Sequence, residues 1–223
     1  MELRGMPLAK SYDRAQVIEL KALYSGVKGK IDSRLSEFKR RSEEAIFLEL
    51  CFCLFTPQSK AKSCWAAVER LRESGLLYSG TPGQIAKEMA GVRFHNNKAG
   101  YLVEARGRFV CSGECRVSQM LSGSKDVYEA REWLVKNIKG MSYKEASHFL
   151  RNIGRGERLA ILDRHILKNM KALGVIDEVP RTLNKKTYLE LEQELLKFSD
   201  AVGIPPDHLD LLLWYKEAGE VFK

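Results

Sequence analysis

The stretch NIKGMSYKEASHFLRNIG, residues 137–154, decides how the chain is read. A helix ends at Ile138, the chain turns through Lys139, Gly140, Met141 and Ser142, and a second helix starts at Tyr143. Ala146, Phe149, Leu150 and Ile153 recur at three and four residues, which gives the second helix one apolar face. Gly140 permits the tight turn. Lys144, in the first turn of the new helix, is not accounted for by that face. Two readings stand: a plain turn between two helices with one more solvated lysine, or a helix–hairpin–helix whose lysine does chemistry.

Outward from this stretch the same periodicity persists. Helices are expected at 14–24, 29–40, 43–55, 58–73, 82–90, 96–109, 126–138, 143–153, 164–173, 186–202 and 206–219, an all-α plan with little period-two alternation. Breakers mark the ends: Thr56-Pro57, the turn Gly80-Thr81-Pro82-Gly83, and Pro205-Pro206 before the last helix. The segment CSGECRVSQMLSGSKD reads as loop and as a crossing between two lobes. The expected lobes are 1–42 with 126–223, carrying the hairpin, and 43–125, with an active site in the cleft between them.

With 223 residues, 44% of them hydrophobic, the chain can bury a substantial core. It holds 37 Lys and Arg against 29 Asp and Glu, a net charge of +8, which favours polyanionic partners through phosphate neutralisation. No long apolar run and no apolar leader segment is visible, so neither a membrane span nor a secretory signal is indicated and a cytoplasmic protein is expected. The five cysteines, Cys51, Cys53, Cys64, Cys111 and Cys115, lack CxxC pairing, which argues against a zinc site. Cys51 and Cys53, in LELCFCLF, read as buried small hydrophobes, and a Cys111–Cys115 disulfide is left open.

A hairpin that opens at a helix N-terminus presents backbone N–H groups able to hold a phosphate without reading sequence. Further along, AILDRHILKNM places Asp163 at the start of another helix, with His165 just after it. Asp163 is a natural N-cap, and that role alone would explain it. A lysine and a carboxylate at two helix N-termini are also the equipment for attack on a sugar C1′. A neutral amine displaces the base, and the carboxylate stabilises positive charge developing on the sugar.

The hairpin, Lys144 and the unit Asp163-Arg164-His165 resemble the helix–hairpin–helix superfamily of base-excision DNA glycosylases, whose bifunctional members carry a catalytic lysine and aspartate at this separation. Of that superfamily's usual hairpin proline and two glycines, one glycine survives here, Gly140. FTPQSKAK resembles the segment with a gap-filling polar residue, matched by Gln58, and GVRFHNNKAGYL the segment whose wedge residue falls at Phe94. Without the resemblance, Gln58 reads as a polar residue at a helix start, and Phe94 equally as a core aromatic. The C-terminal LDLLLWYKEAGEVFK, with Trp214 and Lys223, is similar to the compact 8-oxoguanine DNA glycosylase/AP lyases of archaea and some thermophilic bacteria. In LLLWY alone, Trp214 reads as core.

The resemblance implies a two-lobe helix–hairpin–helix DNA glycosylase fold and a bifunctional enzyme that excises 8-oxoguanine and nicks the abasic strand. It implies Lys144 and Asp163 as catalytic, Trp214, Lys223, Gln58 and Phe94 at the damaged base, and Gly140, Ser142 and His165 on phosphates. No cofactor or metal is implied. The partner is double-stranded DNA bearing 8-oxoguanine, in a nucleoid-associated monomer that needs no membrane. A glycosylase for another damaged base, or a non-catalytic DNA-binding protein, are the rivals.

Overall fold

The computed structural model describes residues 12–223; residues 1–11, which open the first expected lobe and hold the stretch read as lacking a leader, lie outside the described residues. The described chain folds as α1 (Arg14–Lys39), α2 (Glu43–Phe55), α3 (Ala61–Glu73), α4 (Leu76–Ser79), α5 (Pro82–Glu88), α6 (His95–Phe109), β1 (Val110–Cys111), β2 (Glu114–Cys115), α7 (Val117–Leu121), α8 (Val127–Asn137), α9 (Tyr143–Asn152), α10 (Arg164–Ala172), α11 (Lys185–Val202) and α12 (Pro206–Ala218). The fold is all-α, and apart from α1 the longer helices fall where periodicity and breakers put them.

Two elements differ from expectation. The two helices expected at 14–24 and 29–40 are one, because Leu20, Val27, Ile31, Leu35 and Phe38 keep a single buried stripe across Gly26 and Gly29. Inside CSGECRVSQMLSGSKD the chain forms a short antiparallel hairpin and then α7, rather than loop throughout. The register pairs Val110 with Cys115 and Cys111 with Glu114. Alternation along a strand therefore sends Cys111 and Cys115 to opposite faces, and all five cysteines are free thiols.

The chain clusters into two compact units. One comprises Ser33–Ile161; the other comprises the described residues up to Asp32 together with Leu162–Lys223. The segment 126–161, expected with the C-terminal helices, thus counts with α2–α7, because α9 packs on both α8 and α2. The segment 111–126 lies wholly within that unit, so it is not a crossing.

In the Ser33–Ile161 unit, α2 is the central element. Ser42 caps it by accepting the Ala45 N–H, with Glu43 and Glu44 in the first turn, and every residue from Ile46 to Phe55 is buried. A helix apolar on all sides must be surrounded, and α2 packs against α3, α6, α7, α9 and β2. Its one interior charge, Glu49, is 3.0 Å from Arg41 and accepts from Asn152 of α9 at 2.8 Å. In the other unit α12 packs on α10 and α11. Leu209, Leu211, Leu212 and Leu213 meet a core that includes Met170, Leu195 and Phe198. Pro206 opens α12, and Asn184 caps α11.

Gly26 and Gly29 are exposed, helical, and have no atom within 4 Å of an added Cβ. Replacing both with alanine is expected to stabilise the protein by about 1–2 kcal/mol. A rise of several degrees in the thermal midpoint checks it.

Candidate active site

The hairpin forms between α8 and α9. Gly140 has φ +86, and a Cβ there would come within 2.4 Å of the Tyr101 ring, so both backbone conformation and space demand glycine. Ser142, by contrast, has φ −99 in extended backbone and serves as the N-cap of α9, where no glycine is needed. Its amide and hydroxyl both donate to the Glu145 carboxylate, making a capping box. The S-x-x-E spacing of Ser142 and Glu145 could have revealed this box from the sequence.

Every side chain of α9 from Tyr143 to Asn152 is buried except that of Lys144. Three of the polar ones have defined partners: Ser147 accepts from Arg131 at 3.1 Å, Asn152 donates to Glu49, and the Arg151 guanidinium lies 5.4 Å from the Phe38 ring centroid. Lys144 is 21% exposed; its Nζ is 3.4 Å from Thr56 Oγ1 and 3.3 Å from Glu145 Oε1. The nucleophile candidate is therefore the only side chain of α9 that reaches outward.

Thr56 belongs to the turn that carries Gln58. Gln58 is exposed with φ +56, and Phe94, 55% exposed with φ +57, stands at the N-cap of α6. Phe94 is thus no core aromatic. Lys98, unassigned in the sequence reading, is 4% exposed and donates to the Phe55 and Pro57 carbonyls, both at 2.7 Å, and to Ser59 Oγ at 3.1 Å. Burial lowers its pKa from the ordinary lysine value. So Gln58, Phe94, Lys144, Gly140 and Ser142 share the Ser33–Ile161 unit.

Asp163, His165, Trp214 and Lys223 belong to the other unit. Asp163 caps α10: Oδ1 accepts from the amides of His165 at 2.8 Å and Ile166 at 2.9 Å, so Oδ2 carries neither capping bond. The His165 ring meets Trp214 edge to face at 5.8 Å between centroids. His165 Nδ1 is 3.6 Å from Glu217 Oε2, too long for a hydrogen bond but close enough for an ion pair when the ring is protonated. Asn169 donates to the same carboxylate at 3.1 Å and to the His165 carbonyl at 3.0 Å, tying α10 to α12. No spacing in the sequence pointed to Glu217 or Asn169. Trp214 Nε1 is buried without a hydrogen-bond partner.

The chain resembles known proteins over nearly its whole length. Residues 31–204 match the family model described as 8-oxoguanine DNA glycosylase. A Fusobacterium nucleatum 8-oxoguanine DNA glycosylase/AP lyase is 49% identical over 209 residues, covering 92% of this chain and 96% of that protein. The Methanocaldococcus jannaschii 8-oxoguanine glycosylase/lyase, solved with a 15-mer DNA containing 8-oxoguanine, superposes with a TM-score of 0.84 at 34% identity, over 94% of this chain and all (100%) of that one. An H. pylori 3-methyladenine DNA glycosylase, 16% identical with a TM-score of 0.59 over 93% of this chain and 99% of its own, shares the fold. The fold is thus that of the helix–hairpin–helix DNA glycosylases. Within that class, the chain belongs to the 8-oxoguanine DNA glycosylase family. Trp214 and Lys223 lie beyond the residues matched by the family model.

Among the described residues, no helix is long and apolar enough to cross a membrane, and no group of three or more His, Cys, Asp or Glu could hold a metal ion.

Gly140→Ala is expected to destabilise the protein by about 1–3 kcal/mol, read from the denaturant midpoint. Adding Tyr101→Ala removes the clash but not the backbone strain, so it should restore only part of the loss.

Proposed function

We propose that this protein excises 8-oxoguanine from double-stranded DNA and then cleaves the abasic strand by β-elimination. The observation that carries the reading is Lys144, the one outward side chain of α9, in a chain that belongs to a family of 8-oxoguanine DNA glycosylases.

A base inside a duplex is out of reach, so it must be extruded and the opening filled. Phe94 wedges into the stack and Gln58 fills the gap. Amides of the hairpin turn at Gly140 and Ser142, with His165, hold backbone phosphates. Trp214 stacks on the extruded base, and Lys223 takes part in recognising it. Discrimination is a hydrogen-bond problem: 8-oxoguanine carries a proton on N7 where guanine has a lone pair. An acceptor facing N7 therefore gains a bond with one base and a repulsion with the other.

Neutral Lys144 Nζ attacks C1′ as the glycosidic bond breaks, and the base leaves with the bonding electrons and takes up a proton. Asp163 Oδ2, free of the capping bonds, stabilises the positive charge that builds on the sugar. The resulting aminal opens to a Schiff base between Lys144 and C1′. Loss of a proton from C2′ then expels the 3′ phosphate, and hydrolysis of the imine returns the lysine. Every atom transferred comes from substrate, lysine or water.

Borohydride reduces the Schiff base to a stable adduct, which makes trapping the direct test. Wild type should form a covalent adduct on a duplex with one 8-oxoguanine, and not on the same duplex with guanine; Lys144→Gln should form none. An adduct that survives Lys144→Gln, or equal trapping on guanine, overturns the assignment, and binding without any adduct indicates a non-catalytic DNA-binding protein or another lesion. Asn also caps helices well, so Asp163→Asn should keep the thermal midpoint within a few degrees while slowing trapping roughly 100-fold.

A further inference from the structure

Among the described residues Lys98 is the one buried lysine; its hydrogen bonds all reach a single neighbouring turn, and each ends on a neutral oxygen: two carbonyls and a hydroxyl. Burying an ammonium costs free energy unless its protons are matched, and here all three are. The hydroxyl it meets, Ser59 Oγ, also accepts the Arg93 amide at 3.0 Å and donates to the Pro57 carbonyl at 3.3 Å. The two groups thus join two loops. Pro57 and Ser59 flank Gln58, and Arg93 precedes Phe94, so the fixed atoms lie immediately beside two of the three described non-glycine residues held at positive φ. A non-glycine residue stays in that conformation only where its surroundings over-determine it. Thr56, between the two carbonyls that Lys98 binds, in turn meets Lys144.

We infer that Lys98, through Ser59, is a positioning residue that locks the Gln58 turn and the Phe94 turn to each other, presenting both side chains to the duplex as one preset clip. The inference rests on the reading of Phe94 as wedge and Gln58 as gap filler. A clip ordered in advance spends no binding energy on loop ordering when the base is extruded. Its loss therefore slows the step that opens the duplex and spares the chemistry on a sugar already stripped of its base.

The test compares two single-turnover rates on duplexes of one sequence: excision at 8-oxoguanine opposite cytosine, and strand nicking at a preformed abasic site. Wild type, Lys98→Met, Ser59→Ala and Phe94→Ala are measured, with a thermal midpoint for each. The expected result is that Lys98→Met lowers excision at least about tenfold more than nicking, with Phe94→Ala showing the same bias and Ser59→Ala a weaker one. Parallel loss of both rates, or no loss of either, in Lys98→Met would overturn the inference and leave the wedge reading intact if Phe94→Ala keeps its bias. Unbiased behaviour of Phe94→Ala removes the wedge reading and the inference with it. If Lys98→Met does not fold, Ser59→Ala decides: a bias toward lost excision supports the lock, and its absence overturns it.

Discussion

The packing of α9 against α2 is the constraint on which the Ser33–Ile161 unit depends. α2 is apolar around its circumference, so whatever lies on it is cut off from water, yet α9 brings Glu145, Ser147, His148, Arg151 and Asn152 into that interior. Buried polar groups are tolerable only when matched, and a matched set fixes one rotation of the helix. Asn152 on Glu49 and Ser147 beneath Arg131 hold α9 at that rotation, and the capping box at Ser142 fixes where it begins. The direction of Lys144 follows from contacts made by its neighbours rather than by itself.

The same economy governs the hairpin. Only one of its residues, Gly140, takes a backbone conformation closed to other side chains, and Tyr101 occupies the space a Cβ would need. Ser142, in extended backbone, caps the helix that follows and gives it a defined start. The hairpin thus keeps its shape with one obligatory glycine and a capped start to the helix that follows.

What could be read from the chain followed the range of the interactions involved. The restart at Tyr143, the cap at Asp163 and the proline start of α12 depend on residues within one helical turn, and each appears in local spacing. Cys51 and Cys53 were legible as core because their neighbours are uniformly apolar. α1 was misread as two helices because glycine propensity is local, whereas the buried stripe that overrides it needs the whole helix. The role of Lys98 was invisible for the opposite reason. Its partners Phe55 and Pro57 are distant in sequence and offer backbone carbonyls, which leave no trace in residue type. Glu217 on Asn169 has the same character, a contact between helices that no spacing announces.

The cysteines carry a consequence for chemical durability. Burial pushes the Cys51 and Cys53 thiols well above the usual range and the Cys64 thiol up to about 11, so all three stay protonated at neutral pH. Oxidants attack the thiolate, and solvent reaches none of these three sulfurs. An oxidant in solution therefore finds Cys111, exposed on the short hairpin, before it finds the core. The oxidisable interior is thereby kept in its unreactive form.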